Sequence, residues 1–209
     1  MTLRRDYTLA KLSEEDLDPN PLIQLKKYFQ EAIGLNLLLP DAMTLATVTA
    51  QGTPDARIVL LKELNESGLI FYTNYESPTG QQLETCPHAS IVLWWAELER
   101  QIRVRGHVEK VSAEKSDVYF QTRPRDSQIA AWSSVQSEII TSRDALEDNF
   151  KQTAKRFQNI NVPRPCHWGG YILIPSAIEF WQGGANRLHD RIRFRRSHEQ
   201  TWVMERLSP

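Results

Sequence analysis

The sequence predicts a mainly β protein, an antiparallel barrel with flanking helices. Seven or eight short apolar or alternating runs recur at close spacing. Helical stretches separate groups of them, and no regular strand–helix–strand rhythm joins them. The 209 residues are 41% hydrophobic and 24% charged, enough apolar material for one core of ordinary size. A charged, aperiodic stretch over 1–19 reads as a mobile N-terminal arm, and 20–209 as a single domain.

The elements follow in order. "NPLIQLKKYFQEAIG" is a helix, with Asn20 as its cap, Pro21 in its first turn and Gly34 at its exit. "MTLATVTA" and "ARIVLLKEL" are strands joined by the turn-rich "QGTPD", and "GLIFYTN" is a third. A short helix around "SPTGQQLET" leads to strands "ASIVLWWA" and "RQIRVRGHVEKV". In the second of these, Ile102, Val104, Gly106 and Val108 alternate with polar residues. Helices return in "SAEKSDVYFQTR", "DSQIAAWSS" and "SRDALEDNFKQTAKRFQ", and "NVPRP" ends them. Three late strands are expected in "GGYILIP", "AIEFWQ" and "TWVMERL", with "RIRFRR" as a fourth candidate.

Composition excludes several classes. With 25 basic and 26 acidic side chains the net charge is −1, which argues against a nucleic-acid partner. Cys86 and Cys166 stand in no Cys/His array, so neither a disulfide framework nor a metal site is expected. The amino terminus has no apolar core of signal-peptide type. The longest apolar run, "IVLWWA", falls far short of the ~18 residues of a membrane span, and the cytoplasm is the expected location. Dinucleotide, P-loop, nucleophile-elbow and HExxH patterns are all absent.

Chemistry-bearing residues gather in five places. Arg57 and Lys62 bracket Ile58, Val59, Leu60 and Leu61, and strict strand alternation puts 57 and 62 on opposite faces. Gln101, Arg103 and Arg105 share one strand face. Tyr119, Arg123 and Ser127 share one helix face if Pro124 does not break it, and together suit a phosphate. Gln136 and Ser137 are neutral donors. "FWQGGANRLHDR" combines Trp181, a glycine pair, Arg187, Leu188, His189 and Arg191. A solvated strand end, a polar sheet face, a helix end, a loop cap or a core tryptophan explains each alone. The combination needs more.

Taken in order, "RIVLLK", "FYTNYES", "RQIRVRGHVEK", "YFQTRPRDSQIAAWSS.QS", "PRPCHWGGY" and "IEFWQGGANRLHDR" closely resemble the pyridoxamine 5′-phosphate oxidase family. The similarity runs from about Arg4 to the terminal "ERLSP". The resemblance implies an FMN-binding split β-barrel with FMN at a homodimer interface. It also implies oxidation of pyridoxamine 5′-phosphate or pyridoxine 5′-phosphate to pyridoxal 5′-phosphate. A hydride passes to FMN, and oxygen then yields hydrogen peroxide.

By the same resemblance, Arg57 meets the FMN phosphate and Ile58, Val59, Leu60 and Leu61 run along the flavin. Tyr72, Thr73, Gln101, Gln136, Ser137, Trp181 and Arg191 complete the cofactor set. Lys62 lies near flavin and substrate. Tyr119, Arg123 and Ser127 hold the substrate phosphate. Arg187, Leu188 and His189 face the pyridine, with Arg187 and His189 orienting the reacting end, and Gly183-Gly184 gives the backbone a close turn. Arg4, Arg5, Asp6 and Tyr7 belong to an arm that covers the substrate. The chain departs from the family where an Arg-Lys pair usually follows "NYES": Pro78 and Thr79 stand there. Two other classes compete with this reading, a non-catalytic flavin or pyridoxal-phosphate carrier and a nucleic-acid barrel using "RIRFRR". The retained substrate-end groups disfavour the first, and the near-neutral charge the second.

Overall fold

The computed structural model describes residues 6–209, so Arg4 and Arg5 lie outside the described residues. Helix α1 (Pro21–Gly34) starts where the Leu22 N–H donates to the Asn20 side chain at 3.0 Å, with Pro21 in the first turn. Its buried face carries Leu22, Leu25 and Ala32. Gly34 is only its last helical residue. The left-handed turn falls at Asn36, with φ 53°.

Strands β1 (Ala42–Val48) and β2 (Pro54–Leu60) form the expected hairpin, with Gly52 at φ 81° in its turn. Next come β3 (Glu63–Leu64), β4 (Leu69–Asn74), α2 (Pro78–Thr85), β5 (His88–Trp95) and β6 (Arg100–Lys110). Three helices follow, α3 (Ala113–Thr122), α4 (Arg125–Ser133) and α5 (Arg143–Arg156). The chain ends in β7 (Trp168–Gln182), β8 (Asp190–Arg196) and β9 (Trp202–Arg206). Every ladder is antiparallel, in the order β2-β1-β5-β6-β7-β4-β3, with β8 and β9 continuing from β7. The sheet curls into a half-barrel flanked by helices, as the strand pattern predicts.

Two expectations need correction. "ARIVLLKEL" is not one strand: β2 ends at Leu60, and Glu63–Leu64 forms β3 against β4. "GGYILIP" and "AIEFWQ" are a single strand, β7, and not two. Pro175 has no N–H to donate, yet it falls where β7 changes partner on one edge: β4 pairs as far as Leu173 and β8 from Ala177. On the other edge a bulge at Arg105/Gly106 faces it, and a Cβ on Gly106 would collide with the Ile174 carbonyl. The strand bends there without breaking. RIRFRR is indeed a strand, β8, and its Ile192 and Phe194 are core residues.

The main core packs Leu45, Ile91, Leu93, Ile102, Phe180 and Phe194 between the curled faces of the sheet. Leu12 and Leu17 join it at 5% and 7% exposure, so this part of the expected mobile arm is packed into the same core as residues 20–209. Burial of a leucine contributes about 1.5–3 kcal/mol. A second cluster, Phe120, Ile129, Phe157, Val162 and Trp168, lies where the α3–α5 helices meet the start of β7. Among the described residues no helix is long and apolar enough to cross a membrane.

Candidate functional site

A cavity of about 510 Å³ opens where β2, β4, α2 and α3 meet. Arg57, Ile58, Val59, Leu60 and Lys62 form one wall, Tyr72 and Thr73 another, and Tyr119, Thr122, Arg123 and Trp168 a third, with Thr79 and Gln136 at the rim. Arg57 and Lys62 therefore share one cavity, against strict alternation. The reason is local. β2 stops at Leu60, the Leu61 N–H turns to the Asp41 carbonyl, and the Lys62 N–H donates to Ile70 on β4, both at 2.8 Å. Leu61, at 3% exposure, belongs to the core and does not line the cavity. Ile58, by contrast, is 64% exposed, an apolar surface left open beside cations.

The two arginines of this cavity differ in kind. Arg57 Nη2 donates to Asp55 at 2.6 Å and to Gln82 at 3.1 Å, while Nη1 donates to Thr47 and to the Leu45 carbonyl. Arg123 stacks its guanidinium over Trp168, 4.6 Å from the ring centre. Its Nη1 is buried and has no hydrogen-bond partner among the described residues. Burial lowers the Arg123 pKa from its usual value, with the Tyr119 hydroxyl opposing. Tyr119 stacks on Tyr72 at 3.8 Å, and Tyr72 on Trp168 at 5.3 Å. Burial, followed by Glu63, pushes the Tyr72 pKa up to about 12, so its hydroxyl keeps its proton at neutral pH.

Ser127 does not join this group. Pro124 does break the helix: α3 ends at Thr122, Arg123 is extended (φ −70°, ψ 147°), and Ser127 rides on the separate helix α4 and is not among the cavity-lining residues. Gln136 lines the cavity, while its neighbour Ser137 sits in the left-handed region at φ 69° in an exposed loop. At the departure from the family, the Gly80 N–H donates to Ser77 Oγ (3.2 Å), Pro78 opens α2, and Thr79 faces the cavity. Trp168, Thr122 and Thr79 are lining residues that spacing did not reveal. Trp168 matters only because Arg123 comes to lie over it from another element.

The remaining candidates form a second group, at the far end of β7. Trp94, Gln101, Trp181 and Arg191 are register neighbours across β5, β6, β7 and β8, one row over four strands. Arg191 Nε donates to Glu179 at 2.9 Å. His189 lies 4.7 Å from Trp181, and its Nδ1 accepts from the Gly184 N–H at 3.1 Å. That contact assigns the proton of the neutral ring to Nε2. Tyr7 meets Trp181 edge-on at 5.6 Å, and a Cβ on Gly183 would lie 2.6 Å from Tyr7 Cβ. The glycine pair thus admits Tyr7 of the chain's own N-terminal segment. Asn186 and Arg187 are both left-handed, at φ 55° and 63°, and hold Arg187 and Leu188 out in solvent. Asp6 is exposed.

Tyr72 pairs with Gly170, at the opposite end of β7 from Trp181. The eleven intervening steps amount to about 36 Å of strand. The candidate residues of one chain therefore fall into two groups at opposite ends of β7.

A family profile described as pyridoxamine 5′-phosphate oxidase matches residues 29–157. The chain belongs to the pyridoxamine 5′-phosphate oxidase family. A second profile, the pyridoxine 5′-phosphate oxidase C-terminal dimerisation region, matches residues 168–209 and contains Trp181, Arg187, His189 and Arg191. Over 207 residues the chain is 53% identical to the pyridoxine/pyridoxamine 5′-phosphate oxidase of Nostoc sp., covering 99% of this chain and 97% of that one. It is 52% identical to the enzyme of the same name from Cupriavidus necator, with the same coverage. Among solved structures, PhzG from Burkholderia lata 383, in complex with tetrahydrophenazine-1-carboxylic acid, has a TM-score of 0.90 at 28% identity, covering 96% and 99% of the two chains. An FMN-binding, pyridoxamine 5′-phosphate oxidase-related protein from Nostoc punctiforme shares the fold, with TM-score 0.71, 18% identity, and coverage of 88% and 97%. In this pyridoxamine 5′-phosphate oxidase family member, Trp181, Arg187, His189 and Arg191 of the second group thus fall in the segment matched by the dimerisation profile, while Trp94 and Gln101 lie ahead of it.

Proposed function

We propose that the chain oxidises pyridoxamine 5′-phosphate or pyridoxine 5′-phosphate to pyridoxal 5′-phosphate, with FMN as cofactor. The observation that carries this reading is the buried, partnerless Arg123 Nη1 in a cavity that also holds Lys62 and Tyr119. A guanidinium donor hidden from water without an acceptor is costly, and an anionic ligand removes that cost. The substrate phosphate suits it. The flavin fits as well: Ile58 and Leu60 offer exposed apolar surface, and Arg57, Thr79 and Gln136 supply donors beside it.

When bound, FMN supplies the hydride acceptor, which oxygen regenerates with release of hydrogen peroxide. The chain's own groups bind and orient. Arg57, the start of α2, Gln136 and Ser137 are assigned to the FMN phosphate side, and Ile58, Val59 and Leu60 to the ring, with Tyr72, Thr73 and Lys62 beside it. Arg123 and Tyr119 take the substrate phosphate by a charge-assisted and a hydroxyl hydrogen bond. Arg187 and His189 are assigned to the reacting end. With Nδ1 occupied by Gly184, neutral His189 offers Nε2–H as a donor, which favours holding the substrate over removing its proton.

The separation of the two groups supports a homodimer in which Gln101, Trp181, Arg187, His189 and Arg191 of one chain complete the cavity of the other. The segment ahead of residue 20 then acts as a cover, with Tyr7 seated on Trp181 and His189. Residues 20–209 act as one domain in the cytoplasm. The test is a visible spectrum after adding FMN, then oxygen uptake with pyridoxamine 5′-phosphate. Flavin binding without oxygen uptake would favour a carrier instead.

A further inference from the structure

We propose that Asp55 competes with the ligand's phosphate for Arg57, and so limits how tightly this site holds FMN. The inference rests on the reading that the cavity takes FMN. Asp55 and Arg57 are two apart on β2 and share a face, and their side chains meet at 2.6 Å. Gln82 fastens the pair from α2: its Oε1 accepts from Arg57 Nη2, and its Nε2 donates to Asp55 Oδ2, both at 3.1 Å. Thr47 and the Leu45 carbonyl take Nη1. Both terminal nitrogens of Arg57 are thus engaged within the chain, whereas Arg123 leaves one without an acceptor.

An incoming phosphate carries about −1.5 to −2 charges and three acceptor oxygens, so it outcompetes one carboxylate. Arg57 Nε makes no bond to the described residues, but a phosphate that takes Nη2 as well must displace Asp55, and the two anions then stay close. Elsewhere a cation nearby would offset that repulsion. Here the first turn of α2 begins with Pro78 and Thr79, which carry none. Asp55 is 46% exposed, so its charge is partly screened and the effect is moderate in size.

The experiment measures FMN and riboflavin affinity of the full chain, by quenching of flavin fluorescence, for wild type, Asp55→Asn, Asp55→Glu and Arg57→Ala. Asp55→Asn should tighten FMN binding about two- to fivefold. Riboflavin, which lacks the phosphate, should bind all four proteins alike, and Asp55→Glu should behave as wild type. Arg57→Ala should weaken FMN binding. If it does, but Asp55→Asn leaves FMN affinity unchanged or weaker, the competition is overturned, and a weaker value makes Asp55 a positioning residue for Arg57. Riboflavin affinity that rises with FMN affinity also overturns it. FMN affinity indifferent to Arg57→Ala overturns the proposal and the assignment of this wall to the phosphate together.

Discussion

The Arg123 guanidinium lies over the Trp168 ring, its central carbon 4.6 Å from the ring centre, with one terminal nitrogen buried and free of any partner among the described residues. The ring attracts the cation from one side, and the buried nitrogen has no acceptor among the described residues. Arg123→Ala should raise KM for pyridoxamine 5′-phosphate by the loss of a charged hydrogen bond, about 1.5–3 kcal/mol. Arg123→Lys should rescue little, since an ammonium cannot stack as a planar fork does. Steady-state kinetics with unphosphorylated pyridoxamine is the control. An equal penalty on both compounds would rule out a phosphate contact.

Arg187 is held outward by two consecutive left-handed residues and makes no part of the cavity wall of its own chain. Arg187→Ala should lower kcat/KM more than tenfold, a loss above about 1.4 kcal/mol, while flavin content persists. Loss of flavin with activity per flavin intact would move Arg187 to the cofactor side.

The start of α2 offers a dipole and hydroxyls where cations are absent. Pro78→Arg combined with Thr79→Lys should tighten FMN binding by about one to two decades and steepen its salt dependence. Titrations at several salt concentrations check both. Unchanged affinity and slope would mean that this turn does not reach the phosphate.

Acid should loosen the last two strands. Glu205 on β9 accepts from Arg193 and Arg195 on β8, at 2.6 Å and 2.7 Å. Hydrogen bonds from Arg193, then Arg195, hold its pKa below the ordinary value of 4.5. A depressed folded pKa stabilises the fold above the unfolded value, and that contribution disappears as pH falls through the folded one. Melting curves of wild type and Glu205→Gln should differ at pH 7 and converge at pH well below 4.5. A constant gap at all pH values would contradict the linkage.

Local chemistry made most of the fold legible. The β6 pattern, with Ile102 and Val104 inward and Arg103 and Arg105 outward, follows from alternation alone. Asn20, Ser77 and the hairpin around Gly52 also declare themselves within a few residues. The errors arose where a distant segment decides. Lys62 shares the cavity with Arg57 because its N–H pairs with β4, and β7 runs through Pro175 because of a bulge on β6. Ser127 and Arg123 do not share one helix face, because Pro124 ends α3 before α4 begins. Trp168 beneath Arg123 and Asp55 against Arg57 are contacts between side chains, visible only once the sheet is curled.

On the proposed reading, one active site takes Arg123 from one chain and Arg187 from its partner. This sharing is tested most directly by co-expressing Arg123→Ala and Arg187→Ala chains and measuring oxygen uptake with pyridoxamine 5′-phosphate and FMN. With substrate held well below the raised KM of Arg123→Ala, each variant alone should retain less than about a tenth of wild-type activity. In a mixed dimer one site carries both lesions and the other carries neither. Random pairing should therefore restore about a quarter of wild-type activity. Activity no higher than that of the two variants alone would contradict the shared site and return both arginines to a single chain.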